Sequence, residues 1–205
     1  MRAAATSLPP LLDTSFDIWD VSLTYGELLP CSLASALQLG VSLLPPPLRG
    51  GGARFLDLGS GEGIPCLLAA ALFPAFSSVR GVELLPRLHA AAERHRACAA
   101  AALLPDGGPA AAERVRRVSL RCADMMEGLE AALAAADVVF FLGTCFGEDV
   151  LGPLWAAAAG MRCGAVLICA THEAPAGGAM ELAATQAAAA AWGSDVTLRF
   201  YRRRA

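Results

Sequence analysis

The stretch FLDLGSGEG, residues 55–63, constrains the fold of this chain more than any other feature of the sequence. An apolar run ends in Asp57, and Gly59, Gly61 and Gly63 follow it before an alanine-rich segment. Glycine lets the backbone turn sharply and come close to a ligand, and a helix that begins after such a turn offers free N–H groups. The stretch therefore predicts a strand, a ligand-binding turn and a helix, in that order.

Short apolar runs alternate with alanine-rich stretches from residue 53 onward. The predicted strands are Arg54–Leu58, Val79–Glu83, Val115–Cys122, Val138–Leu142 and Ala165–Ala170. The predicted helices are Glu62–Leu72, Leu85–Leu104, Met125–Ala135 and Glu148–Ala159. This alternation predicts an α/β fold in which a doubly wound, mostly parallel sheet carries helices on both faces.

The alternation of apolar and alanine-rich segments ends near residue 190. An alanine run leads into Trp192, the segment Gly193-Ser194-Asp195 follows, and Val196–Tyr201 is rich in β-forming residues. Gly, Ser and Asp between two such arms predict a hairpin, so the sheet should have seven strands and close with an antiparallel pair. A Rossmann-like sheet that ends in this way is the architecture of class I S-adenosylmethionine (SAM) methyltransferases.

The proline- and glycine-rich run PPPLRGGGA, residues 45–53, separates a leading segment from the predicted sheet. We expect residues 1–16 to form a flexible arm, and residues 17–52 to form a cofactor-covering segment with a helix over Cys31–Leu44. Residues 53–203 should form the SAM-binding core. A chain of 205 residues suits one domain of ordinary size, so the leading segment is an appendage of that domain.

Composition excludes several classes of protein. The net charge is −3, all 16 cationic residues are arginines, and they cluster only at residues 114–121 and 202–204. Strong direct nucleic-acid binding is not expected from so little clustered positive charge. A membrane-spanning helix is not expected either, because every stretch of about 18 residues is interrupted by a charged residue, Pro or Gly.

Seven cysteines form an odd number and contain no CxxC spacing. This pattern predicts reduced thiols in an intracellular compartment, nuclear or cytoplasmic, and no metal site. The first ten residues, MRAAATSLPP, lack acids and are rich in Ser and Ala, which is a weak sign of an organellar transit peptide.

Two kinds of ligand use a glycine turn of this type. Dinucleotides bind at G-x-G-x-x-G with the pyrophosphate on the helix N-terminus, whereas this chain has G-x-G-x-G preceded by Asp57. A carboxylate at Asp57 would repel a pyrophosphate but would help to hold the ammonium of an amino-acid moiety. Spacing and charge both favour SAM over a nicotinamide cofactor, with Ser60 completing the turn.

Further polar residues follow the next two predicted strands. Glu83 is placed to accept both ribose hydroxyls of an adenosyl group, a feature that SAM and nicotinamide binders share. Asp124 can accept from the adenine amino group, and Met125 offers a polarizable face for the ring. Taken singly, Asp124 could be a helix cap and Met125 a core residue. Their order at successive strand ends favours an adenosyl-binding site.

Upstream, the segment TYGE, residues 24–27, brings a tyrosine and a carboxylate that could close over the doubly cationic SAM. With these residues in place, the chain resembles the non-SET histone H3 lysine methyltransferases related to the disruptor-of-telomeric-silencing protein. The shared features, in the family's order, are YGE, DLGSGxG, GVE, an Asp before an apolar residue, the CFGED loop and a Trp-Gly turn. The resemblance extends from about Leu23 to Arg203.

The resemblance implies specific roles. Tyr25 and Glu27 would contact the methionine part of SAM, with the DLGSGxG residues lining it, Glu83 on the ribose, and Asp124 and Met125 on adenine. The acceptor, a lysine of a protein such as histone H3, would enter a channel bordered by Thr144, Cys145, Phe146 and Trp192. Trp192 could instead be an ordinary aromatic of the hairpin core, and His172 an ordinary loop residue.

The chain departs from the family in two respects. Leu142-Gly143 replace an asparagine at the start of the loop after the fourth strand, and the basic extension that holds nucleosomal DNA is missing. Three alternatives to a histone lysine methyltransferase therefore stay open. The chain could methylate another protein or a small molecule, bind SAM without turnover, or be a nicotinamide-dependent dehydrogenase.

Overall fold

The computed structural model describes residues 27–106, 109–192 and 195–205. Its seven-stranded sheet has the order β3-β2-β1-β4-β5-β7-β6. The strands are β1 (Ala53–Leu58), β2 (Phe76–Glu83), β3 (Ser119–Cys122), β4 (Val138–Phe141), β5 (Val166–Ala170), β6 (Met180–Ala189) and β7 (Asp195–Arg203). The helices are α1 (Pro30–Leu43), α2 (Pro46–Arg49), α3 (Ile64–Leu72), α4 (Pro86–Asp106), α5 (Pro109–Arg116), α6 (Leu129–Ala135) and α7 (Glu148–Ala158).

The strand pairing confirms the predicted fold class. Strands β1 to β5 pair in parallel, and β1 lies between β2 and β4, with Asp57 opposite Gly81 and Phe140. Strand β7 runs antiparallel to both β5 and β6. The alanine run therefore forms one arm of the predicted hairpin. The strand order reverses between β1 and β4, because β2 and β3 follow on one side of β1 whereas β4 and β5 lie on the other. Ligands bind at such a position in open α/β sheets.

Two apolar layers enclose the sheet. Val138 and Phe140 of β4 face the layer that contains α1 and α3, whereas Val139 and Phe141 face the layer that contains α6 and α7. All four residues of β4 are buried because helices cover both faces of the parallel strands. The described part of the chain contains no helix that is both long and apolar enough to cross a membrane.

The prediction of a strand over Val115–Cys122 is wrong in its first half. Residues 109–116 form α5, and β3 begins only at Ser119. The alanines of this segment favour a helix, and the Arg117–Glu113 pair, 2.9 Å apart at i, i+4 spacing, extends across its end. On this helix, the side chain of Val115 is fully buried, and Arg114 donates hydrogen bonds to carbonyl groups of α3.

Two helices start later than predicted. Helix α3 begins at residue 64 instead of 62, and α6 begins at residue 129 instead of 125. Gly63 and Gly128 immediately precede them with φ of 80° and 68°, in the left-handed region that a right-handed helix cannot include. The residues before each glycine form turns at the carboxyl ends of the parallel strands, where a ligand can reach them.

The cysteine side chains lie in different environments. All seven are free thiols, but only Cys66 and Cys169 are buried. Cys31, Cys98, Cys122 and Cys163 are exposed, and Cys145 is half-buried. The tyrosine of the predicted site, Tyr25, lies outside the described residues.

Candidate active site

A cleft of about 290 Å³ opens at the carboxyl ends of β1, β2, β3 and β4. The glycine turn after β1, the loop after β4 and the leading residues 27–28 all contribute to its wall. Most of the predicted site residues line it: Glu27, Asp57, Gly59, Ser60, Gly61, Glu83, Asp124, Met125, Thr144 and Phe146. Residues that are distant in sequence thus meet where the parallel strands end.

The turn after β1 is held in place by the neighbouring strand. The N–H groups of Gly59 and Ser60 both donate to the carbonyl of Val82 at 2.9 Å, and Gly63 N–H donates to Ser60 O at 2.8 Å. Gly63 has a left-handed φ, and a Cβ added there would lie 3.0 Å from that of Ala92. Gly63 does not line the cleft, so its role is to shape the turn and start α3.

Glu83, at the end of β2, is buried and braces this turn. Its Oε2 accepts from the N–H of Gly61 and its Oε1 from the N–H of Leu85, both at 2.8 Å. Each carboxylate oxygen has a further lone pair, so Glu83 can still accept from ligand hydroxyl groups. The two backbone contacts fix the direction in which the carboxylate faces the cleft.

Asp57 is only 2% exposed although it ends a strand at the cleft. Its one hydrogen-bond partner among the described residues is the thiol of Cys66, with Sγ 3.8 Å from Oδ2. Burial and the nearby negative charge of Glu83 raise the pKa of Asp57 well above its ordinary value, and the thiol offsets this only partly. A buried carboxyl with so weak a partner is suited to a cationic ligand.

The third strand end supplies a more exposed wall. Asp124 is exposed, and its Oδ1 accepts from the N–H of Met126 at 2.9 Å in a local turn. It does not cap a helix, because α6 begins only at Leu129, after Gly128. Both Asp124 and the half-buried Met125 nevertheless line the cleft. The contact with Met126 uses only one lone pair of the carboxylate, so Asp124 can still accept from a ligand in the cleft.

The leading segment reaches the cleft by pairing with the hairpin. Ala191 N–H donates to Glu27 O at 2.8 Å, and Leu29 N–H donates to Ala189 O at 2.9 Å. Leu28 between them is 4% exposed and also lines the cleft. This short antiparallel contact places Glu27 at the wall of the cleft.

The loop after β4 forms the opposite wall. The ring of Phe146 stacks on that of Phe141, with centroids 5.5 Å apart, and Thr144 lies between them along the chain. Leu142, at the position of the family asparagine, lines the cleft with an apolar side chain. Trp192 does not line the cleft and is 44% exposed, so the structure does not bring it together with the other predicted residues.

Five carboxylates line the cleft, and among the described residues no lysine, arginine or histidine does. Four of them, Glu27, Asp57, Glu83 and Asp124, were predicted from the sequence. The fifth, Asp149, was missed, although its place in the first turn of the helix after the fourth strand was a usable signal. No group of three His, Cys, Asp or Glu side chains in the described part of the chain could hold a metal ion.

Known structures resemble this fold closely. The rRNA methyltransferase AviRa of Streptomyces viridochromogenes is 17% identical, with a TM-score of 0.61 over 91% of this chain and 90% of that chain. TrmN of Thermus thermophilus is 17% identical, with a TM-score of 0.62 over 89% of this chain and 51% of that chain. The magnesium protoporphyrin IX methyltransferase (ChlM) of Synechocystis PCC 6803, solved with bound SAM, is 13% identical, with a TM-score of 0.55 over 84% and 80%.

Searches of protein-family models and of curated proteins give no match to the sequence. The structural neighbours include methyltransferases named for RNA and for small molecules. They support the general architecture and do not single out the histone methyltransferases. The chain has the fold of the class I SAM-dependent methyltransferases.

Proposed function

We propose that this chain is a SAM-dependent methyltransferase. The observation that carries the proposal is the pair of buried carboxyl groups, Asp57 and Glu83, which face one cleft across the glycine turn. Two acidic groups this close disfavour each other's ionisation, as the raised pKa of Asp57 indicates. A ligand that brings both a cation and hydroxyl donors would relieve this cost, and SAM has both.

Each predicted residue then has a role in binding the cofactor. Asp57 would take the ammonium of the methionine part, and Glu83 would accept from the ribose hydroxyls while keeping its contact with Gly61. Asp124 and Met125 would hold adenine. Glu27 would approach the methionine part from the leading segment, together with Tyr25. SAM supplies an activated methyl group to this site.

For the acceptor, the charge of the cleft favours an amine over a phosphate-bearing molecule. Proteins that bind nucleic acids neutralise phosphates with Lys and Arg, and no such residue lines the described cleft. Carboxylates such as Asp149 would instead attract an ammonium. We therefore propose a lysine ε-amine of a protein as the acceptor, with histone H3 as the first candidate, even though AviRa is named an rRNA methyltransferase.

The walls of the cleft can assist such a transfer. The lysine nitrogen must lose a proton before its lone pair can form a bond to the methyl carbon as the carbon–sulfur bond breaks. At pH 7 this deprotonation costs about 4–5 kcal/mol for a free lysine. The apolar wall of Leu142 and Phe146 would disfavour the ammonium, which opposes the effect of the carboxylates that attract it and lowers this cost near the wall. Holding the reacting atoms in line supplies much of the remaining acceleration.

Calorimetry tests the cofactor assignment. We expect the wild-type chain to bind SAM and not NADH, and Glu83→Ala to bind SAM at least about 10-fold more weakly, since it loses charge-assisted hydrogen bonds. Equal affinity of wild type and Glu83→Ala would contradict the proposed site. Binding of NADH in place of SAM would support a dehydrogenase instead.

Methyl transfer tests the acceptor. The protein would be incubated with radiolabelled SAM and, in parallel, nucleosomes, free histones, total RNA and cell extract. Labelled histone H3 would support the histone assignment. Label in another protein or in small molecules would overturn that assignment and keep the enzyme, and label in RNA would contradict the amine acceptor. SAM binding without label in any sample would favour a protein that binds SAM without turnover, as the loss of the family asparagine at Leu142 could cause.

A further inference from the structure

The residue after β5, Thr171, has an unusual backbone conformation. Its φ is +63°, and among the described residues it is the one non-glycine residue with positive φ. A β-branched residue is a marked outlier in this region. Such strain persists only where the surrounding structure fixes the backbone, and it is frequent at functional sites.

Strand β7 supplies the contacts that fix this backbone. Thr171 N–H donates to Thr197 O at 2.9 Å, and Arg199 Nη1 donates to Thr171 O at 2.7 Å. The hydroxyl of Tyr201 donates to the next carbonyl, that of His172, at 3.3 Å. Both backbone polar groups of Thr171 are thus bonded to the same strand, and the direction of the chain at His172 is set.

The imidazole of His172 then reaches across to the loop after β4. Its Nε2 lies within hydrogen-bond distance of the carbonyl oxygen of Gly143. A carbonyl can only accept, so Nε2 must carry the proton. The same oxygen accepts from the N–H of Phe146 at 3.2 Å. One carbonyl therefore joins His172 to both ends of the turn formed by residues 143–146.

This turn has little freedom at its first residue. A Cβ added at Gly143 would lie 2.1 Å from Cζ of Phe141, so the backbone is pressed against that ring. At the other end, Phe146 stacks on the same ring. Between them, Thr144 and Cys145 line the cleft. The wall is thus held by the Phe141 ring on one side and by His172 on the other.

We propose that His172 is a positioning residue, which holds the wall formed by residues 143–146 in the geometry that the methyl acceptor meets. This inference rests on the proposed function for its consequence in catalysis, but its structural part can be measured independently. The strained backbone at Thr171 is the feature that aims the imidazole. His172 contacts the loop and not the cleft, so it acts through Gly143 and Phe146.

The reactivity of the Cys145 thiol reports how firmly residues 143–146 are held in place, because this thiol is half-buried within the wall. The rate at which N-ethylmaleimide alkylates Cys145, resolved from the other cysteines by mass spectrometry, would be compared between wild type and variants. We expect His172→Ala to raise this rate about fivefold, the effect of losing one hydrogen bond. His172→Gln, whose amide can still donate to Gly143 O, should return the rate most of the way to the wild-type value.

His89→Ala is the matched control, since that half-buried histidine lies on α4 away from the loop. It should leave the alkylation rate unchanged. An unchanged rate in His172→Ala, or an equal rise in His172→Ala and His172→Gln, would overturn the proposal. Circular dichroism would exclude a variant that fails to fold, in which case His172→Gln alone would decide.

Two further measurements separate this inference from the proposed function. Calorimetric SAM affinity should be the same in His172→Ala and wild type, while the initial rate of methyl transfer to cell extract at saturating SAM should fall about fivefold or more. Absence of methyl transfer in every variant, with the alkylation difference intact, would contradict the proposed function and leave the positioning role supported. Equal transfer rates together with equal alkylation would reject the positioning role alone.

Discussion

At the scale of single residues, the described part of the chain contains two buried aspartates in opposite situations. Asp57 is 2% exposed and has only a thiol beside it, whereas Asp137 is 1% exposed and bridges Arg54 and Arg162 at 3.2 and 3.4 Å. A buried charge is favourable only when it is paired. Asp137 therefore serves stability, while Asp57 is maintained at a cost to stability, which is typical of a ligand-binding group.

Replacing Asp57 by Asn should stabilise the protein and weaken cofactor binding. The substitution removes a poorly paired buried charge, and we expect a gain of about 1 kcal/mol or more in the free energy of unfolding at neutral pH. SAM affinity should fall about 30-fold or more, because one partner of a buried charge pair is lost. Thermal melts and calorimetry would measure the two effects.

The matched variant Asp137→Asn should instead destabilise by about 1–3 kcal/mol, since it leaves two arginines without their partner. Destabilisation by Asp57→Asn of the same size would contradict this view of Asp57.

The pH dependence of stability should report the same carboxyl group. Burial and Glu83 raise the pKa of Asp57 in the folded state, whereas in the unfolded state it ionises near 3.9. Between these two values the folded state keeps a proton that the unfolded state releases, so this group's contribution to stability falls as pH rises through the folded pKa. The difference in melting temperature between Asp57→Asn and wild type should widen toward neutral pH and shrink in acid. A constant difference would count against the raised pKa.

At the scale of secondary-structure elements, the glycine turn depends on the close approach of β2 and α3. Gly81 in β2 lies opposite Asp57, and a Cβ added there would be 2.8 Å from both Cys66 Sγ and Ser60 Cβ. Because Gly81 has no side chain, the turn and the first residues of α3 can pack directly against β2. The geometry of the turn is therefore decided partly by a residue that lies outside it.

Gly81→Ala should destabilise the protein by about 1–3 kcal/mol through overpacking and should also weaken SAM binding, because Ser60 must move. Gly152→Ala is the control, since Gly152 is exposed in α7 and an added Cβ would meet nothing within 4 Å. The gain in helix propensity is opposed by Pro153, because a proline disfavours the helical conformation of a preceding residue that has a Cβ. Gly152→Ala should therefore change stability less than Gly81→Ala and leave SAM affinity unchanged. Chemical denaturation would measure the free energy of unfolding of both variants. An unchanged stability of Gly81→Ala would contradict the close packing of the turn against β2.

At the scale of the whole molecule, the cleft joins parts that lie far apart along the chain. Residues 27–29 pair with residues 189–191 at the end of the hairpin arm β6, and this pairing holds Glu27 at the cleft. The turn after β1 and the loop after β4 complete the walls. A ligand in the cleft would contact several of these segments together, so its binding should stabilise the folded chain as a unit.

Saturating SAM should therefore raise the melting temperature. At a concentration 100 times the dissociation constant, the stabilisation is about 2.7 kcal/mol, which corresponds to about 5–10 °C for a domain of this size. Asp57→Asn should lose most of this shift at the same SAM concentration. Differential scanning fluorimetry would measure it, and an equal shift with NADH would argue against a SAM-specific site.

Local sequence was sufficient for the fold class and for predicting that most of the acidic residues of the cleft lie together. The alternation of apolar and alanine-rich runs, the turn DLGSGEG and the Gly-Ser-Asp turn near the end are local signals, because strand periodicity and turn chemistry act within a few residues. Carboxyl ends of parallel strands meet at one edge, so Asp57, Glu83 and Asp124 could be brought together by topology alone. The structure confirms the sheet and places all three in one cleft.

Only the tertiary structure decided the features that depend on contacts between distant segments. Three such features are the contact of buried Asp57 with a thiol, the contact of Glu83 with Gly61 and the contact of His172 with Gly143. Each joins residues at least 9 positions apart in the sequence. The assignment of Val115 to a helix likewise depended on packing against α3. Periodicity in a sequence specifies which face of an element is apolar. The element that covers this face, and the buried charged groups that remain without a paired group, are determined only when the chain packs.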